Sequence, residues 1–113
     1  MIPAGVQIYI ALEPIDMRYS FDRLSGLAKE RVGYDARSGA LFVFFGRRRD
    51  ALKVLFFDGT GMCQFYKRLD RGVFRVPEAP SATASHVEVD DATLEALLDG
   101  IEVTASPREP QTH

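Results

Sequence analysis

Apolar positions recur every second residue over Val6, Ile8, Ile10 and Leu12, a period that predicts a half-buried strand ending before Pro14. The period then changes. Met17, Phe21, Leu24, Leu27, Ala28 and Val32 return at helical spacing, with Asp16 or Ser20 placed to cap the start and Gly33 placed to end it. A polar turn, 35–39, leads into the continuous apolar run Ala40–Phe45, which predicts a central strand. The short charged link Arg47-Arg48-Arg49-Asp50 implies an antiparallel hairpin to a second run, Ala51–Phe57. Asp58-Gly59-Thr60-Gly61 predicts another tight turn before a strand over 62–69, and Asp70-Arg71-Gly72 predicts a turn into a short strand over 73–76.

After Pro77 the composition shifts to Pro, Ala, Ser and Thr, which bury little, so 78–89 reads as a linker or irregular arm. Leu94, Leu97, Leu98 and Ile101 stand at i, i+3, i+4 and i+7 and predict a C-terminal helix over 90–102, capped by Asp90 or Asp91. Residues 103–113 carry few apolar side chains and read as a disordered tail. The expected fold is α+β: an antiparallel meander of about four or five strands packed with an N-terminal and a C-terminal helix. The core is expected within 1–77.

Charge divides the chain at the same place. Residues 1–77 hold thirteen Lys and Arg against eight Asp and Glu, whereas residues 78–113 hold one against eight. A basic part beside an acidic part suggests a polyanionic or acidic partner for the first, with the second packing on it or competing for it. No apolar stretch is long enough for a spanning helix, the start lacks the pattern of a secretory signal, and Cys63 is the only cysteine. These features lead to an expectation of a cytoplasmic protein without membrane contact.

Catalytic chemistry finds little purchase. Asp35, Asp50, Asp58 and Asp70 fall in connections between strands, where Asp serves the local backbone, and Cys63, His86 and His113 lack the short spacings of zinc sites. No cofactor and no metal is expected; a magnesium-dependent enzyme using Asp16 or Asp58 is the least favoured alternative. Gly59-Thr60-Gly61 lacks the Lys-Ser/Thr pair of a phosphate-binding loop. The cations are more informative: Arg47, Arg48 and Arg49 share one loop, while Lys67, Arg68, Arg71 and Arg75 follow along the next strand and turn. A row of such residues suits phosphates, although cations also guard exposed strand edges. Tyr66 beside Arg68 offers a ring for stacking on a base, and the many phenylalanines read as core.

These residues also carry a resemblance. Asp16-Met17-Arg18, Ser38-Gly39-Ala40-Leu41-Phe42-Val43-Phe44, Arg47-Arg48-Arg49-Asp50-x-Leu52-Lys53-x-Leu55 and Tyr66-Lys67-Arg68-Leu69-x-x-Gly72-x-Phe74 stand in order along the chain. The pattern resembles the TnpB, or second open reading frame, accessory proteins of the insertion-sequence family numbered sixty-six. Where that family often has tryptophan, this chain has Phe56-Phe57-Asp58 and Cys63-Gln64-Phe65. The resemblance implies a non-catalytic protein encoded beside a transposase that holds the catalytic acids, with that transposase and a companion accessory protein as partners. The expected DNA-contact set is Arg18, Arg47, Arg48, Arg49, Lys53, Tyr66, Lys67, Arg68, Arg71 and Arg75, acting at the element ends. The alternative is a protein-interaction module that touches no DNA. Homo-oligomerisation is left open by the sequence.

Overall fold

A central parallel strand pair, which the meander expectation did not contain, organises the computed structural model; it describes residues 5–100. The strands are β1 (Ile8–Ala11), β2 (Leu41–Phe45), β3 (Ala51–Phe57), β4 (Met62–Arg68) and β5 (His86–Val89), in the sheet order β4-β3-β2-β1-β5. The expected meander holds for β2, β3 and β4, which pair antiparallel. β1 pairs parallel with β2 and antiparallel with β5, so the sheet is mixed and the α+β class stands. A parallel neighbour needs a long crossover, and the helical segment between β1 and β2 supplies it.

That segment begins with α1 (Phe21–Leu27) after Ser20, buries Leu24 and Leu27, and widens into a π-helical turn, Ala28–Val32, ended by Gly33 at φ 94°. Leu27 and Val32 are five residues apart, so the i→i+5 turn keeps both on the sheet-facing side. The Gly33 N–H closes the turn on the Ala28 carbonyl at 2.9 Å.

Each face of the sheet carries its own core. Tyr9, Phe42, Phe44 and Leu55 pack with Leu24, Leu27 and Val32 on the α1 side. Ile8, Ile10, Val43, Phe45, Leu52 and Val54 pack on the other side with Phe74, and with Leu94 and Leu97 of α2 (Asp91–Leu98). β1 was expected to be half-buried, yet all four of its residues are buried. A strand flanked on both edges and covered on both faces has no side left for water. Asp90 caps α2, its carboxylate accepting the Thr93 N–H at 2.8 Å; positions 101 and 102 of the expected 90–102 helix, and the 103–113 tail, lie outside the described residues.

Two further expectations are corrected. Residues 73–76 form no strand: the Leu69 N–H donates to the Asp50 carbonyl and the Phe74 N–H to the Arg49 carbonyl, folding the chain back so that Phe74 plugs the α2 face. Residues 86–89, expected to end an irregular arm over 78–89, form β5 instead. The free edge of β1 offers backbone partners, and Val87 and Val89 fall on the α2 face opposite Ile10 and Ile8. Ser85 anchors the approach, with its carbonyl accepting the Leu12 N–H and its hydroxyl donating to the Arg31 carbonyl.

Candidate nucleic-acid interface

The parallel pair continues past its strands: Ile15 bridges Gly46 in parallel, and the Ile15 N–H donates to the Phe45 carbonyl at 2.8 Å. The chain leaving β1 and the hairpin leaving β2 therefore flank one crevice at the carboxyl ends of parallel strands, the position where open sheets bind ligands. The crevice has a volume of about 660 Å³, and Arg31, Arg47, Arg48 and Arg68 line it together with Asp16 and Asp50. Four arginines from three separate segments of the chain thus bring positive charge to one concavity.

Its walls are set by close packing. Met17 presses on the hairpin so tightly that a Cβ at Gly46 would stand 2.8 Å from the Met17 Cγ, which explains a glycine ahead of the three arginines. Asp16 grips Arg18 at both oxygens, Nε to Oδ1 at 3.0 Å and a terminal nitrogen to Oδ2 at 2.7 Å, while the Arg18 N–H also donates to Oδ1. Hydrogen bonds from the Arg18 side chain and backbone hold the Asp16 carboxyl at a pKa of about 2. Arg18 itself remains exposed, a cation on a fixed strut.

The arginine turn is closed by the Arg49 N–H on the Gly46 carbonyl at 3.0 Å, with Arg49 in the left-handed region at φ 62°. Apart from glycines it is the one positive φ among the described residues, and a side chain there costs roughly 1–3 kcal/mol. Glycine would be the relaxed choice. Arg49→Gly should therefore raise stability by about 1 kcal/mol in urea titration, after the extra freedom glycine gives the unfolded chain, while weakening any ligand that needs the guanidinium. A lower urea midpoint would show instead that the Arg49 side chain holds the turn.

The other expected contact residues separate. Lys53 is only 5% exposed; its ammonium donates to the Tyr19 carbonyl at 2.7 Å and lies 5.2 Å from the centre of the Tyr66 ring. A buried ammonium needs such partners, so Lys53 braces the floor of the α1 face and reaches no external phosphate. Tyr66 is half-exposed on the same face as Arg68, and its hydroxyl accepts from the Arg68 guanidinium at 2.9 Å, a bond that raises the Arg68 pKa. Lys67 points to the opposite face and donates to the Leu98 carbonyl, where a cation complements the carboxyl end of α2. Arg71 and Arg75 are exposed on the loop that Phe74 pins to Arg49.

Arg31 escaped the sequence reading because helical spacing places it on the outer side of its helix. In the fold it reaches across to Glu13, donating to the carbonyl at 3.4 Å and pairing with the carboxylate at 3.4 Å. No sequence-local signal pairs residues 13 and 31. The Asp58 turn lies elsewhere and serves itself: the carboxylate accepts the Thr60 and Gly61 N–H groups and the Thr60 hydroxyl, which hold its pKa at about 2. Among the described residues no three of His, Cys, Asp and Glu gather to hold a metal ion, and no helix is long and apolar enough to cross a membrane.

The family model described as IS66 Orf2 like protein matches residues 6–108. The chain belongs to that family. Membership connects it with transposition of an insertion sequence. It is 41% identical over 104 residues to the uncharacterized protein y4hO of Sinorhizobium fredii (strain NBRC 101917 / NGR234), an alignment covering 90% of this chain and 88% of the relative. A second protein of the same strain, the uncharacterized protein y4jC, is 31% identical over 106 residues, covering 94% and 88%. No solved structure matches significantly. The matched span takes in every element of the sheet, both helices and the whole crevice.

Proposed function

We propose that this IS66 Orf2-family protein is a non-catalytic transposition accessory that binds DNA at the element ends through the arginine crevice and assists a separate transposase. The carrying observation is the convergence of Arg31, Arg47, Arg48 and Arg68 on one concavity at the carboxyl ends of β1 and β2. Guanidinium groups bind phosphate oxygens bidentately, and several at one site give affinity that counterion release makes salt-dependent. Arg18, Arg49, Arg71 and Arg75 extend the positive surface beyond the crevice, and Tyr66 orients Arg68. The acidic residues of α2 and its flanks, Asp90, Asp91, Glu95 and Asp99, are exposed and belong to the element covering the other face of the sheet, which keeps them off the phosphate-binding side.

A second reading, contact with the transposase or its companion protein without DNA, rests on a different surface. An apolar groove of about 510 Å³, lined by Val54, Phe56, Phe65, Leu94 and Leu98, lies on the α2 side, and Phe65 is 45% exposed there. The discriminating measurement is fluorescence anisotropy of the purified full chain with duplex from the element ends and with a scrambled duplex, across a salt series. Direct binding predicts a slope of log K against log salt of roughly −3, for three to four neutralised phosphates. Tighter binding of the end duplex would add end recognition. No binding at low salt by folded protein removes the DNA reading and leaves the protein partner.

A further inference from the structure

We infer that the crevice takes an unpaired nucleotide of a single strand or frayed end, with the phosphate on its arginines and the base toward Asp50. This rests on the DNA-binding reading and narrows it. A duplex is usually read by a protruding element, a helix or ribbon that enters a groove. Neither helix here offers a basic recognition face, since α1 is short and turns Phe21, Asp22 and Arg23 outward and α2 carries Asp91 and Glu95, and the one basic ribbon, the β2–β3 turn, is held at the crevice rim by Met17 and by the Leu69 and Phe74 N–H groups. The cations instead surround a hollow of about 660 Å³, within the roughly 300–1,000 Å³ range of sites that enclose a small ligand.

The acids in the hollow point the same way. A surface built only to follow a duplex backbone gains nothing from a carboxylate among its arginines, since carboxylate and phosphate repel. An exposed base presents amino groups that a carboxylate accepts, as Asp and Glu do from cytosine N4. Asp16 has both oxygens committed to Arg18, which leaves Asp50 as the acceptor facing the ligand. Asp50 also acts electrostatically on Arg68, so the acceptor and a phosphate-binding cation stand close together. Tyr19 also lines the hollow, packed against the α1-side core with the Arg23 guanidinium over its ring at 4.5 Å from the centre.

The experiment compares three labelled probes against the full chain by anisotropy at one salt concentration: a short single strand, a blunt duplex of the same sequence, and that duplex with an unpaired end. The expected result is about tenfold tighter binding of both probes with unpaired nucleotides, the size of one hydrogen-bonded base contact. Asp50→Ala should shrink the preference to about twofold and tighten the blunt duplex, because it removes a repulsive charge as well as the base acceptor. Asp50 uses its backbone carbonyl, not its carboxylate, to hold Leu69, so the variant should fold, and a thermal melt checks that. Equal affinity for all three probes, or a preference unchanged in Asp50→Ala, overturns the inference and leaves DNA binding standing. Failure to bind any probe overturns both.

Discussion

Replacing Arg47, Arg48 and Arg49 together by Glu should lower DNA affinity at least about hundredfold while leaving the fold intact. Each charge-assisted hydrogen bond contributes roughly 1.5–3 kcal/mol, and neighbouring contacts add less than their sum, so a loss of about 3–4 kcal/mol is a conservative total. All three side chains are exposed on the turn between β2 and β3 and contribute nothing to either core. Surface changes of this kind typically move stability by less than about 0.5 kcal/mol each. The salt slope should flatten by about two units, since Arg47 and Arg48 are two of the four crevice arginines. Wild-type affinity retained in the folded triple variant would place any DNA contact elsewhere, with Arg71 and Arg75 next in line. A cooperative urea transition with an unchanged slope is the control that separates lost contacts from lost fold.

The largest stability effect should come from Phe74, a residue in an irregular loop. Its ring is 1% exposed, lies 5.9 Å from the Phe45 ring and completes the α2-side core beside Leu52. Phe74→Ala should cost about 3–5 kcal/mol, a large part of the roughly 5–15 kcal/mol that holds a domain of this size. The neighbouring Val73 is 45% exposed, and Val73→Ala should shift stability by less than about 0.5 kcal/mol. Phe74 also has a functional side. Its N–H donates to the Arg49 carbonyl, so the ring anchors the arginine turn from behind. At temperatures where Phe74→Ala is still folded, its DNA affinity should fall several-fold although the lost ring touches no ligand. Equal tolerance of both substitutions in urea titration would show that the 70–76 loop is not part of the core.

The arginine turn and the Phe74 loop meet at the Arg49 backbone, where its N–H closes the turn and its carbonyl holds the loop that carries Arg71 and Arg75. The turn is thus built on a strained residue fixed from two sides. Strain of this kind persists only where the surroundings over-determine the backbone, and it gathers at functional sites. Met17 against Gly46 is a third constraint on the same hairpin, which keeps Arg47 and Arg48 at the crevice instead of letting them follow solvent. Preorganisation lowers the ordering cost of binding, so the arginines bind as a set.

Local pattern by itself determined much of this protein. Period-2 and continuous apolar runs marked β1 to β3, the Asp58–Gly61 turn marked the start of β4, and the link 46–50 was too short for anything but a hairpin. Helical spacing with Gly33 and Asp90 at the right ends marked both helices, and the ordered blocks from Asp16 to Phe74 marked the family. These signals are legible because they depend on neighbours within a few residues. Tertiary structure alone decided the rest. The direction of β1 depends on a crossover, not on its own residues, and β5 forms because the free edge of β1 supplies backbone partners to the short Val87-Glu88-Val89 alternation, which stands beside a segment rich in Pro, Ala, Ser and Thr. Phe74 became a plug because the Leu69 and Phe74 amides found carbonyls in the arginine turn. The same cause sorted the cations: one charge type in one short stretch became a buried brace at Lys53, a helix-end contact at Lys67 and a crevice wall at Arg68. Sequence lists which charges are present, whereas burial and partners across the sheet decide which of them water, and a ligand, can reach.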